Sequence, residues 1–203
     1  VALVAFNYEL ARVAGGVSNA LMGEIRLTWW REAMDEIAAG KVPRKHPTVE
    51  ALAASSLDPL ALAAMAEARL ADLDDAPPAD EAGILAYVDA TAGTLAVLTA
   101  RRLDPAVDPH AVKGSARAYG LAGLWRLKQA GRSRLPDDWT QAEVARRVAD
   151  QLKAARVELK GLSVAAFPAI APAALASAYA KGRDPSEFEK KARLTWSVAT
   201  GHI

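Results

Sequence analysis

Apolar positions in this chain recur at helical spacing almost throughout. Leu3, Phe6, Leu10 and Val13 lie on one side of a helix predicted over 2–13, which Gly15-Gly16 ends. Ser18 or Asn19 can cap the next helix, which runs to about Ala39 and stops at Gly40. Its apolar side is expected from Ile25, Trp29 and either Leu27 or Trp30, and Glu32 and Glu36 share a polar face. Further helices are expected over 48–54, from Pro59 to the acidic end at Asp72, over 80–102, 110–128 and 141–160, and near 163–181 and 186–199. No strand of convincing alternation interrupts them. The pattern predicts an all-α bundle of eight or nine helices in a single domain spanning 1–203.

Composition agrees. Of 203 residues 47 are Ala, and hydrophobic residues make up 52%, a strong bias to helix. With no Cys, disulfides, thiolate catalysis and Cys-ligated zinc are excluded. The three His are scattered, so a His-based metal site is not expected. No unbroken apolar run reaches the ~18 residues of a membrane span. The chain starts at Val1 rather than Met, so a truncated N-terminus would make any targeting signal unreadable; the expectation is a cytoplasmic protein or one peripheral to the inner face of a membrane.

Charge changes the picture. Residues 1–100 carry 7 Lys/Arg against 14 Asp/Glu, and residues 101–203 carry 18 against 10. Either the two halves attract each other, or the basic half meets an anion such as a diphosphate, an acidic lipid surface or an acidic protein. Aromatic and basic residues are not interleaved as nucleic-acid binding requires, so no nucleic-acid partner is expected. The cationic face of 141–160 is either solvated or laid against anionic lipid in a peripheral membrane contact.

Seven phrases in order, AFNYELARV, GEIRLTWWREAMDEI, HPTVEAL, EARLADLDD, AYVDATAGTL, AYGLAGLWR and RLPDDW, resemble the squalene/phytoene synthase family over nearly the whole chain. Within it, the FN-x-ELA start, the R-x-x-[FW]W pattern, the LDD and the AFPA at 166–169 are most similar to the branch of the mitochondrial respiratory complex I (NADH dehydrogenase) assembly factor and its bacterial relatives. The resemblance implies an isoprenoid synthase-type bundle. In active members, two Asp-rich clusters hold Mg²⁺ on a prenyl diphosphate, and an apolar cavity shields the carbocation from water.

Set on that pattern, the sequence departs at both clusters. Ala11, Arg12 and Gly15 stand where the first cluster's carboxylates would be, with Glu9 nearby. Leu124, Trp125, Arg126, Leu127 and Lys128 stand at the second. Asp72 and Asp75, at i and i+3, are the remaining candidates for a metal; the plain alternative is a solvated acidic helix end. Arg26, Arg31 and Arg126 are candidates to bind a diphosphate, or else to pair with acidic neighbours. Phe6, Tyr8, Trp29, Trp30, Tyr87, Thr91, Tyr119 and Gly123 are candidates to line the cavity, with core packing the competing role. The small residues of 110–128 permit close helix approach or leave room for a ligand.

Three readings follow. The first is a non-catalytic or altered family member that binds a prenyl or lipid ligand and acts with respiratory-complex proteins in assembly. The second is an active Mg²⁺-dependent prenyltransferase of isoprenoid biosynthesis. The third is a scaffold without ligand.

Overall fold

The computed structural model describes residues 1–74, 76–78 and 80–203. Among them helices and turns form and no strand does, as the apolar spacing predicts. The contacts divide the chain into two compact units, Val1–Asp75 and Ala76–Ile203.

The first unit contains α1 (Ala2–Ala11), α2 (Ala20–Ala38), α3 (Pro47–Ala53) and α4 (Pro59–Ala68). Each start is set by local chemistry. The Asn19 side chain accepts the Met22 N–H, His46 Nδ1 accepts the Thr48 N–H, and Asp58 accepts the Leu60 N–H. These bonds satisfy donors that a helix N-terminus leaves open. Pro47 and Pro59 then occupy first-turn positions where no N–H is needed.

The buried side of α2 is Gly23, Leu27, Trp30, Ala33 and Met34. Ile25, expected on that side, is instead 54% exposed, because Leu27, Trp30 and Met34 at i, i+3 and i+7 define the inward stripe and Ile25 points elsewhere. Trp30 packs edge-on to Phe6 at 5.5 Å, to Trp29 at 5.0 Å and to His46 at 4.8 Å. Such tilted ring pairs add to simple area burial. Arg44 closes this cluster over the Trp29 ring at 5.3 Å. Its guanidinium also donates to Glu36 at 2.8 Å, Glu32 at 2.9 Å and the Trp29 carbonyl at 3.2 Å. The shared face of Glu32 and Glu36 thus grips the loop that follows the helix.

The second unit comprises α5 (Glu81–Val88), α6 (Thr94–Leu103), α7 (His110–Gln129), α8 (Gln141–Glu158), α9 (Ala176–Ala180) and α10 (Glu187–Thr200). A π-helical turn, Asp89–Gly93, joins α5 to α6. The uniform helix expected over 80–102 therefore changes register midway. Ile84, Val88 and Thr91 are buried before the change; Ala96, Leu98 and Ala100 are buried after it. The Thr91 hydroxyl donates to the Tyr87 carbonyl at 2.8 Å and the Thr94 hydroxyl to the Asp89 carbonyl at 3.3 Å, occupying carbonyls that a π turn displaces. Arg117 of α7 holds Asp89 with two bonds, at 2.7 and 2.6 Å.

Taken together, 81–103 is long and apolar enough by length and composition to cross a membrane, with an 18-residue stretch of mean hydropathy 1.4. Asp89, Thr91, Thr94 and Thr99 interrupt its apolar run. Of that stretch 28% is buried, and those side chains pack within this unit.

The helix expected over 163–181 is mostly not α-helical. Short 3₁₀ turns occupy Phe167–Ala169 and Ala171–Leu175, and only Ala176–Ala180 is α. Pro168 and Pro172 are the cause: neither supplies an N–H, and their rings obstruct an i→i+4 ladder. Likewise the acidic end after α4 tightens into a 3₁₀ turn, Arg69–Leu73.

α7 is packed along its length. Val144, Val148 and Leu152 of α8 join Leu121, Leu124 and Trp125 in one core. The small residues of α7 play different parts. A Cβ on Gly114 would lie 2.9 Å from the Ala155 nitrogen and 3.0 Å from its Cα, and one on Gly120 would meet Val88 at 2.5 Å. A Cβ on Gly123 would meet nothing within 4 Å. Gly114→Ala is therefore expected to destabilise the protein by about 1–3 kcal/mol, since backbone atoms cannot yield. Gly123→Ala should stabilise it by about 0.5–1 kcal/mol through helix propensity. Urea unfolding midpoints of the two variants check both signs.

Candidate functional site

In the second unit, the C-terminal turn of α7 and the turn after α9 enclose a half-open pocket of about 250 Å³. Arg126, Gln129, Tyr179, Gly182, Arg183 and Asp184 line it. Gly182 has φ +69°, a left-handed conformation that ends α9 and that other residues adopt with strain.

Arg126 lies over the Tyr179 ring at 4.3 Å, a cation–π contact that fixes its guanidinium plane. Its bond to Asp184 is long, 3.4 Å, and both side chains are about half exposed. Arg183, by contrast, is held at both nitrogens by Glu189, at 2.7 and 2.8 Å. Arg193 adds a third bond to Glu189 at 2.9 Å. These bonds, Arg183 first and Arg193 second, pull the Glu189 carboxyl from its ordinary 4.5 down to about 2. Asp184 is lowered too, chiefly by Lys190. Tyr119 faces Tyr179 at 6.4 Å; burial first and Tyr179 second push its phenol up.

The remaining candidates are distributed as follows. Arg126 lines this pocket and Tyr119 adjoins it through Tyr179. Tyr87 and Thr91 lie on the α5 side of the unit, where Thr91 is buried and bonded to the helix backbone. Gly123 faces open space. In the first unit, Phe6 and Trp30 are buried in the aromatic cluster with Trp29 beside them, and Tyr8 is 62% exposed with Arg12 over its ring. Arg31 pairs with Glu67 at 2.9 Å, and Arg26 is exposed. Tyr179, Arg183 and Gln129 were not singled out from the sequence. They come from separate segments that only the fold brings together, and Arg183 sits in a stretch without a motif.

The two places where carboxylates would hold Mg²⁺ have other chemistry. Arg12 pairs with Glu9 at 3.6 Å. The Lys128 ammonium donates to three carbonyls of the following loop, Pro136 at 2.6 Å, Asp137 at 3.1 Å and Trp139 at 3.2 Å. Asp72 is bonded to Arg69 at 3.2 Å, and Asp75 lies outside the described residues. Among the described residues no group of three or more His, Asp or Glu is placed to hold a metal ion.

On the cationic face of α8, Arg146, Lys153 and Arg156 are exposed. Its apolar side, Val144, Val148, Leu152 and Ala155, is spent on the core, and Arg147 is held against the Trp139 ring at 3.8 Å and Glu81 at 3.0 Å.

Two measurements check the polar framework. Lys128→Met removes three charge-assisted bonds and should lower stability by about 2 kcal/mol, read from denaturant unfolding. Glu189 is depressed in the folded state, so its stabilisation is full above its ordinary 4.5 and is lost as pH falls toward about 2. Thermal melts should show stability declining through that window, with a shallower decline in Glu189→Gln.

No curated protein matches the chain. The family model described as squalene/phytoene synthase matches residues 1–158, a stretch that contains the first unit and α5 to α8 and stops before Tyr179 and Arg183. With the helical architecture and more than half of its length matched, the chain belongs to the squalene/phytoene synthase family.

Proposed function

We propose that this family member no longer carries out metal-dependent condensation and instead binds an anionic isoprenoid or lipid headgroup through its own cations. The single observation that carries this reading is Lys128. A cation occupies a position of the second carboxylate cluster, and its three carbonyl bonds make it part of the loop's structure. A Mg²⁺ ion beside it would meet like charge. Reverting one residue would not restore the site, because Leu124 and Trp125 alongside are buried.

Without a metal, a phosphate needs protein donors. Arg126 supplies them best: Tyr179 orients it, and its long bond to Asp184 leaves donor capacity for a charged ligand. The resemblance to the respiratory complex I assembly branch supports a role in assembling a membrane respiratory complex, with the bound ligand as a structural or sensing element.

Farnesyl and geranylgeranyl diphosphates supplied with Mg²⁺ should release no pyrophosphate. Farnesyl diphosphate should raise the melting temperature equally with Mg²⁺ or with EDTA, and Arg126→Ala should weaken binding about tenfold. Mg²⁺-dependent pyrophosphate release that is lost in Asp72→Ala would overturn the reading in favour of an active prenyltransferase. For the assembly role, loss of the chain in its host should lower assembled complex I and leave squalene and carotenoid content unchanged.

A further inference from the structure

α10 carries its apolar side outward. At 100° per residue, Phe188, Ala192, Thr195, Trp196 and Ala199 fall on one stripe, and all five are exposed. Phe188 is 82% and Trp196 70% exposed. The opposite side carries Leu194, packed on the core, and polar residues that are engaged. Lys190 is held by Asp184 at 3.0 Å and Glu187 at 2.8 Å, Arg193 by Glu189 at 2.9 Å, and the buried Ser197 donates to the His202 carbonyl at 2.6 Å. A solvated surface helix has the reverse arrangement. Two large rings left in water on one stripe mark a surface that meets something apolar.

The surroundings give the sign of the partner. Lys191 is exposed on the edge of the stripe, between Phe188 and Thr195, and takes part in no ion pair among the described residues. Arg156 donates to the Ile203 carbonyl at 3.4 Å, which brings the last turns of α8 beside the segment following α10. There Lys153, Arg156 and Lys160 are exposed, as is Val157 at 66%. Residues 101–203 hold 18 Lys/Arg against 10 Asp/Glu. The partner is therefore anionic with an apolar interior.

We propose that α10 docks on an anionic phospholipid bilayer, with Phe188 and Trp196 entering the headgroup–acyl boundary and Lys191 and the end of α8 meeting lipid phosphates. A helix face is convex, and here it presents two rings separated by Ala. A fluid acyl boundary conforms to such a surface, whereas a protein would have to offer a matching groove. Phe188, Trp196 and Lys191 do not line the Arg126 pocket, so either can fail alone.

The test is co-sedimentation of the full chain with vesicles of phosphatidylcholine alone or with phosphatidylglycerol. Wild type should sediment with the anionic vesicles and be released by high salt, and Phe188→Ala with Trp196→Ala should bind about tenfold more weakly. Brominated phosphatidylglycerol should quench part of the wild-type tryptophan fluorescence, and Trp196→Phe, which leaves fold and charge in place, should abolish that part. Equal sedimentation of wild type and the double variant overturns the proposal, as does quenching that persists in Trp196→Phe. So does a dimer, seen by light scattering, that the double variant loses while vesicle binding is absent; the stripe would then belong to a second copy of this chain.

Discussion

The second unit depends on how closely other elements can approach α7. Gly114 lets the backbone of α8 come within contact distance at Ala155, and Gly120 gives Val88 room to seat. These two approaches fix α7 between α8 on one side and the α5–α6 segment on the other. Once α7 is fixed, the Asp89–Arg117 ion pair can form across to the π turn, and Leu121, Leu124 and Trp125 can meet the apolar side of α8. The glycines make the packing possible, but the apolar side chains supply the stabilisation: each fully buried large one contributes about 1.5–3 kcal/mol. Gly123, with open space above it, shows that a small residue in such a helix need not mark a contact.

From that packing follows the local electrostatics. The loop after α7 turns back to start α8, and the carbonyls of Pro136, Asp137 and Trp139 lie outside any helix. Lys128 provides the donors, and the Thr140–Glu143 capping box then starts α8. A carboxylate at 128 would place negative charge against these carbonyls and leave them unbonded. The bonds this loop makes therefore call for a cation at 128. The same holds more weakly at Arg12, which pairs with Glu9 at the surface.

Helix positions and types were legible wherever long periodic runs carried them. Two helix starts were legible as well, because Asn19 and Asp58 cap with their own side chains. Failures came where a local rule outweighed periodicity. Pro168 and Pro172 broke an expected helix into 3₁₀ turns, and the π turn at Asp89–Gly93 rotated one helix against itself. Side-chain roles were less legible, because pairing is a property of the fold. Arg31 meets Glu67 from another helix and not Asp35 one turn away. Arg126 was visible as a candidate; Tyr179, which orients it, was not, because no spacing in the sequence links α7 to α9.

α8 and α10 show why amphipathicity alone does not tell which way a helix faces. Both separate apolar from charged positions, and periodicity treats them alike. In α8 the apolar stripe is β-branched and aliphatic, and it matches the row of small and aliphatic residues on α7, so it turns inward. In α10 the inward positions are taken by Leu194, which packs on the core, and by Lys190, Arg193 and Ser197, whose partners come from the turn at Asp184, from the helix itself and from the segment after it. Because those polar groups are satisfied locally, burying them carries little penalty. Phe188 and Trp196 are then turned outward by default, and the orientation of the helix is decided by where its charges find partners.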